Sequence, residues 1–330
     1  MGGFVIRRIG VAVGLLLILT AVTYVLFNAV PTDPALLTCG KSCTPAIVEA
    51  NRIRLGLNDP LAVQYLQFLK GIFAGRTYGS GSAAFDCAAP CLGYSFRQGD
   101  TVVHLIGQAL PVTASLAGGA FILWMVLGIS TGVYTALRRG QVTDRIVMTL
   151  ALVGYSLPVF FIGLLLLVFV VIRWQLLPYP SYASLLQSPT QWFQSLLLPW
   201  FSLAIVYAAF YTRLVRSEVL EVLGKDYIRT ARAKGVAPRR LLWRHVLRAS
   251  LTPVVTAAGL DLAGLLGGAV ITEAVFNLPG LGRLAVSGVT DYDLPLITGV
   301  TLVAAAFVII LNLIVDIGYA RLDPRVSTES

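Results

Sequence analysis

Charge is what this chain has least of. Asp, Glu, Lys and Arg make up 12% of its 330 residues, about half the share found in an ordinary soluble domain, while 57% are hydrophobic and the mean hydropathy is +0.80. That excludes a string of two or three water-soluble domains and leaves an integral membrane protein. Histidine is nearly absent as well. His104 and His245 stand far apart, no H-E-x-x-H occurs, and each reads as a surface or satisfied imidazole rather than a metal ligand. The phosphate-binding pattern G-x-x-x-x-G-K-[ST] is missing too, since Gly224-Lys225 lacks both the upstream glycine and the following hydroxyl. The sequence therefore offers no catalytic machinery, no cofactor or metal site, and no energy source of its own. One apparent exception, Gly128-Ile129-Ser130-Thr131-Gly132, matches the G-x-S-x-G of serine hydrolases, but that motif needs a strand–turn–helix elbow and this one lies inside an apolar run. Its two glycines, four apart, read better as a packing face for a neighbouring helix.

Long apolar runs are what the chain has instead. About 20 residues are needed to cross a hydrocarbon core roughly 30 Å thick, and six stretches qualify: about Ile9–Val30, Leu110–Leu137, Ile146–Ile172, Leu196–Tyr211, Leu251–Phe276 and Leu296–Tyr319. The fourth is expected to emerge into water at Arg213 and Arg216. The fold class is thus all-α with six transmembrane helices. Net charge is +9, and the bases sort by side. Arg7 and Arg8 precede the first span, Arg138, Arg139 and Arg145 follow the second, and a basic segment follows the fourth, whereas Arg173 and Arg283 stand nearly alone after the third and fifth. By the positive-inside rule both termini are expected in the cytoplasm. The implied organisation is a first span over 1–30, an extracytoplasmic segment over 31–109, a transmembrane core over 110–320 with a cytoplasmic loop at 225–250, and a tail over 321–330.

Residues 1–30 have the paired arginines and apolar run of a signal peptide, yet the run is about 22 residues long and Phe27-Asn28-Ala29-Val30 is a poor cleavage site, so the span is expected to stay. In the external segment, Thr44-Pro45 starts a helix that Gly56 ends, and Asp59-Pro60 starts a second with Leu61, Tyr65, Phe68, Leu69 and Ile72 along one side. All four cysteines lie there, as Cys39-x3-Cys43 and Cys87-x3-Cys91. An oxidising compartment favours two disulfides over a four-cysteine zinc site, and three pairings remain open. Ser156-Leu157-Pro158 predicts a kink in the third span. After it, Trp174, Tyr179, Tyr182 and Trp192, with Trp200 following, form an interfacial aromatic belt. The fifth span is rich in glycine (Gly259, Gly264, Gly267, Gly268), which allows close helix approach. It also holds two acids. Asp261 is either a pathway-lining residue or a structural partner of Arg213 or Arg216, and Glu273 is expected near the outer surface.

The stretch Lys225–Pro253 is both charged and patterned: eight Lys/Arg against the single acid Asp226. Asp226 is expected to cap a short helix, with Lys234 in its last turn and Gly235 taking the left-handed position that ends it. Pro238 then opens another helix. A helix of about nine residues is too short to be stable alone and needs something to dock against. Nucleic acid is out of place at a membrane face. Anionic lipid would tolerate a diffuse run of charge, but a capped, small-residue, glycine-terminated helix suits a shaped protein socket.

Asp226-Tyr227-Ile228-Arg229-Thr230-Ala231-Arg232-Ala233-Lys234-Gly235, followed by His245-Val246-Leu247-Arg248 and Pro253, resembles the EAA loop of bacterial ABC-importer permeases in its dipeptide/oligopeptide form. The resemblance extends in order through Pro31-Thr32-Asp33-Pro34, Leu55-Gly56-Leu57, Gln64-Tyr65, Ser156-Leu157-Pro158, Leu265 to Val270 with Glu273 and Phe276, Pro279-Gly280-Leu281-Gly282, Asn312-Leu313 with Asp316, and Leu322-Asp323-Pro324-Arg325. The cysteine-bearing parts depart from the family pattern, and Asp261 stands where an uncharged polar residue is expected. The resemblance implies a type I importer permease fold and a subunit that moves peptides without being an enzyme. Its implied partners are a second homologous permease subunit, two ATPase subunits that bind ATP and magnesium, an extracytoplasmic substrate-binding protein and membrane lipid. It also implies that Asp226, Tyr227, Arg229, Thr230, Ala231, Arg232, Ala233, Lys234 and Gly235 couple to an ATPase subunit. Nickel chelates, glutathione or oligosaccharides fit the same architecture as cargo. A secondary transporter or channel is the alternative of another class, and would show internal repeats that are not evident.

Overall fold

A computed structural model describes residues 2–28, 34–37, 44–55, 57–78 and 85–322. In chain order the helices are α1 (Gly2–Asn28), α2 (Pro34–Leu37), α3 (Pro45–Leu55), α4 (Leu61–Ala74), α5 (Val102–Leu137), α6 (Val142–Ser156), α7 (Val159–Leu166), α8 (Pro189–Gly224), α9 (Asp226–Ala233), α10 (Pro238–Leu241), α11 (Leu247–Leu266), α12 (Val270–Val275), α13 (Leu281–Thr290) and α14 (Leu294–Leu322). Four short strands, β1 (Arg76–Tyr78), β2 (Phe85–Cys87), β3 (Tyr94–Ser95) and β4 (Asp100–Thr101), pair antiparallel as β1 with β2 and β3 with β4. Among the described residues five helices are long and apolar enough to cross a membrane, at Arg7–Leu26, Val102–Leu137, Pro189–Gly224, Pro238–Leu266 and Leu294–Ile314. The count reaches six if the bent pair Val142–Ser156 and Val159–Arg173 is one span.

Three expected spans take a different form. The third bends by 98° at its break, more than a kink. Leu157 is extended there (φ −87°, ψ 133°) because Pro158 bars it from the α-region, and no residue bridges the gap. The helix of the fourth runs on beyond Tyr211: α8 carries on through Arg213, which is exposed, and Arg216, which is bonded to Asp144, to Gly224. The fifth breaks at Gly267-Gly268, where Gly268 adopts φ +125°, and resumes as α12. The connection after it contains α13.

The chain divides into two compact units, 1–111 with 279–330, and 112–278. In the first, α1 packs on α14, and Tyr24 and Thr20 hydrogen-bond Gln64 and Tyr65 of α4. Leu92, Val102, Ile106, Leu281, Leu296 and Val300 form its core. The strand pairs sit in the segment over 31–109 expected to be extracytoplasmic, which is therefore not purely helical, with Cys87 and Cys91 joined by a disulfide between Cα atoms 5.5 Å apart. That is a local bridge rather than a brace between the two cysteine clusters. Cys39 and Cys43 lie outside the described residues. Asp100 accepts hydrogen bonds from the His104 ring and the Thr101 N–H, which hold its carboxyl below the usual carboxylate range.

The second unit is built on α8, which buries Leu196, Leu203, Tyr211, Val215 and Val219. Gly128 and Gly132 are the packing face expected of them. A Cβ on Gly128 would stand 2.6 Å from the Cβ of Tyr211, and one on Gly132 would stand 2.7 Å from that of Val215, so α5 and α8 touch only because both positions lack a side chain. Gly264 does not behave this way, since among the described residues nothing beyond its own stretch of helix lies within 4 Å of where its Cβ would be. Trp200 is not an interfacial residue either; it is buried, with Nε1 donating to the Ser115 carbonyl at 3.0 Å.

Candidate coupling site

α9 is an eight-residue helix held by one side chain. Ile228 is fully buried in the core of the second unit, and Ala231 is half-buried; Asp226, Tyr227, Arg229, Thr230, Arg232 and Ala233 are exposed, as is Lys234 beyond the helix. The helix packs on α8 and α10 through that one edge. Asp226 does not cap it. Lys225 occupies the N-cap in extended conformation with no side-chain bond, and Asp226 is the first helical residue, where its charge still favours the helix dipole and meets Arg229 at 3.6 Å. The C-terminus follows expectation closely. Gly235 has φ +75°, its N–H bonds the Arg232 carbonyl at 3.0 Å, and the Val236 N–H reaches back to Ala231 at 3.2 Å. This paired closure leaves Val236 and Ala231 packed on the same core. Pro238 opens α10 at its first turn, as expected. Arg232 and Lys234 make no ion pair among the described residues and are exposed, as are Tyr227 and Thr230, so these side chains are available to something outside this chain.

A buried ion pair that sequence reasoning missed fixes the element from which α9 hangs. Arg216 on α8 donates to both oxygens of Asp144 on α6, Nε to Oδ1 at 2.8 Å and Nη2 to Oδ2 at 2.9 Å, and the Gly140 N–H adds a third bond at 2.9 Å. The fork geometry makes this a rigid clamp between the α5–α6 turn and α8. An acid set among Arg138, Arg139 and Arg145 was the available signal. Asp261 is accordingly no partner of Arg213 or Arg216. Its Oδ2 accepts from the Tyr211 hydroxyl at 2.6 Å, and Arg213 lies instead 6.0 Å from the Tyr155 ring. Glu273 is fully buried within the protein and accepts from the Thr113 hydroxyl at 2.7 Å. No group of three or more His, Cys, Asp or Glu able to hold a metal occurs among the described residues.

Comparison with known proteins places this arrangement. Residues 128–328 match the model of the binding-protein-dependent transport system inner membrane component family, and residues 1–117 match that of its N-terminal region. The chain is 36% identical to the probable peptide ABC transporter permease protein y4tP of Sinorhizobium fredii, over 99% of each, and 32% identical to the dipeptide transport system permease protein DppB of Escherichia coli K12, over 98% of each. Among solved structures, the inward-facing MetNI methionine ABC transporter shares the fold, with a TM-score of 0.55 at 19% identity over 67% of this chain and 98% of that one. Spans, the bent and broken helices, and similarity along the full length agree: this chain belongs to the binding-protein-dependent transport system inner membrane component family, with the type I permease fold.

Proposed function

We propose that this chain is one of two permease subunits of an ATP-driven importer that moves di- or oligopeptides across the cytoplasmic membrane. The observation that carries the cargo is the near-complete match, end to end, to relatives named as peptide and dipeptide permeases. In this reading α9 is the coupling helix, seated in a cleft of an ATPase subunit that binds ATP and magnesium. Its exposed face from Asp226 to Lys234 makes the contact, and Gly235 ends the helix so that α10 and α11 can return to the membrane. Both termini lie in the cytoplasm, and a substrate-binding protein delivers peptide on the opposite side.

The mechanics follow from the anchoring. A helix attached through Ile228 to α8, itself clamped by Asp144 and Arg216, passes displacement to the spans instead of absorbing it. Closing of the ATPases on ATP then biases the spans between two arrangements, and the free energy comes from the partner subunits. The test is uptake by the complete complex in proteoliposomes, with binding protein outside and ATP inside. ATP-dependent accumulation of labelled di- or tripeptides, not displaced by nickel chelates, glutathione or oligosaccharides, is the expected result. Accumulation of one of those cargoes without peptide would replace the peptide reading.

A further inference from the structure

The unpaired acid of the fifth span sits in a cluster of aromatic side chains, all within the second unit. Tyr207 and Tyr211 lie one turn apart on α8. Trp124 of α5 stacks on Tyr207 with ring centroids 4.5 Å apart and lies over Tyr211 at 6.3 Å. Asp261 of α11 takes the Tyr211 hydroxyl on Oδ2, and Tyr207 lies within electrostatic reach of the same carboxylate. Asp261 is only half-buried, and its Oδ1 has no hydrogen bond among the described residues; nor has the Tyr207 hydroxyl. No Lys or Arg among the described residues pairs with Asp261, because Arg216 is committed to Asp144 and Arg213 lies against Tyr155. The indole Nε1 of Trp124 is buried with no acceptor, so the same cluster holds an unmet donor.

An ionised carboxylate in an apolar span is costly unless a cation answers it. An open carboxylate oxygen beside an open hydroxyl is the chemistry that receives an ammonium: the carboxylate supplies charge and the Tyr207 hydroxyl a hydrogen bond, while the stacked rings hold both in place. We propose that Asp261, with Tyr207 and with Tyr211 and Trp124 packed behind it, forms a cation-binding station in the permease that takes the side-chain ammonium of a lysine in the cargo. This rests on the peptide-importer reading and adds to it a preference for cationic side chains.

The complete reconstituted transporter tests it with two tripeptides, Gly-Lys-Gly and the same peptide with its side-chain ammonium neutralised as Nε-acetyl-lysine. Uptake of each is measured at saturating binding protein, and the ratio is compared between wild type and variants, so that selection by the binding protein cancels. The expected result is a Lys to acetyl-Lys ratio about tenfold lower in Asp261→Asn and retained in Asp261→Glu. An unchanged ratio in Asp261→Asn overturns the proposal while leaving peptide import intact. So does loss of complex yield in Asp261→Asn that Asp261→Glu restores, since the carboxylate would then answer a cation of a partner subunit. Absence of uptake of any peptide by the wild type would instead count against the importer reading itself.

Discussion

Ile228→Ala isolates the attachment of α9. Ile228 is the only fully buried side chain on a helix of eight residues, and helices that short have little stability of their own. Truncating a buried Ile to Ala costs about 2–5 kcal/mol, and the lower figure applies because so short a helix can shift to fill part of the gap. At about 1.4 kcal/mol per factor of ten, a loss of about 2 kcal/mol raises the opening equilibrium of α9 roughly 30-fold. Hydrogen exchange by mass spectrometry on the complex in lipid nanodiscs reads this directly. Amides of residues 226–236 are expected to exchange about 30-fold faster, while those of residues 204–215 on α8 keep wild-type protection, and ATP-driven uptake falls with the exposed face chemically unchanged. Equal protection of α9 in both proteins would refute the single-anchor argument. A uniform loss across α8 would show that Ile228 belongs to the fold of the unit rather than to the docking of the helix.

Three further outcomes follow from the same geometry. Gly235→Val forces a β-branched residue into φ +75° at a site where, among the described residues, nothing beyond its chain neighbours lies within 4 Å of a Cβ, so about 1–2 kcal/mol of backbone strain, not a clash, should loosen the end of α9; Gly235→Asn, which tolerates that region, should retain ATPase co-purification that Val loses. Asp144→Ala leaves Arg216 without its fork partner, with side-chain exposures of 5% and 23%, and should cost about 3 kcal/mol, the low end for a covered pair that is still partly wetted, seen as a lower melting temperature in detergent that Arg216→Met added to it partly restores. Burial holds the Asp293 carboxyl above the usual range, against the Ser95 hydroxyl and Leu296 N–H that favour its charge. A raised acid pKa means that the folded state binds the proton more tightly, so the stability from this group is fullest below the unfolded carboxylate pKa and is lost as pH rises through the folded one. Asp293→Asn, which keeps both partners, should therefore gain stability relative to wild type between pH 4 and pH 7.5, and a difference independent of pH would contradict this.

The spans were legible because 20-residue apolar runs bounded by Arg leave few alternatives, and the end of α9 was legible because Gly235 followed by Pro238 writes a stop and a start into the chain. Gly128 and Gly132 were legible for the same reason, as spacing on one helix carries the contact. What stayed hidden depends on pairs distant in sequence. Asp144 and Arg216 are 72 residues apart, so although an acid among three arginines marked Asp144, nothing local named Arg216 as its partner. Pro158 announced a break, but the 98° angle is set by what α6 and α7 each pack against. Strands of two or three residues carry too little alternation to read. Asp226 looked like a cap, yet a cap is a backbone conformation as well as a residue type, and Lys225 holds the extended position.

Cross-linking from the exposed face of α9 tests the central claim most directly. A photoreactive residue placed at Arg232 in the tagged chain, activated in membranes from the native host, marks whatever occupies that face, and mass spectrometry identifies the adduct. A cross-link to a nucleotide-binding subunit, co-purifying with a second permease chain, is what the coupling account predicts. Adducts to lipid or to another copy of this chain, with no nucleotide-binding protein in the complex, would contradict it.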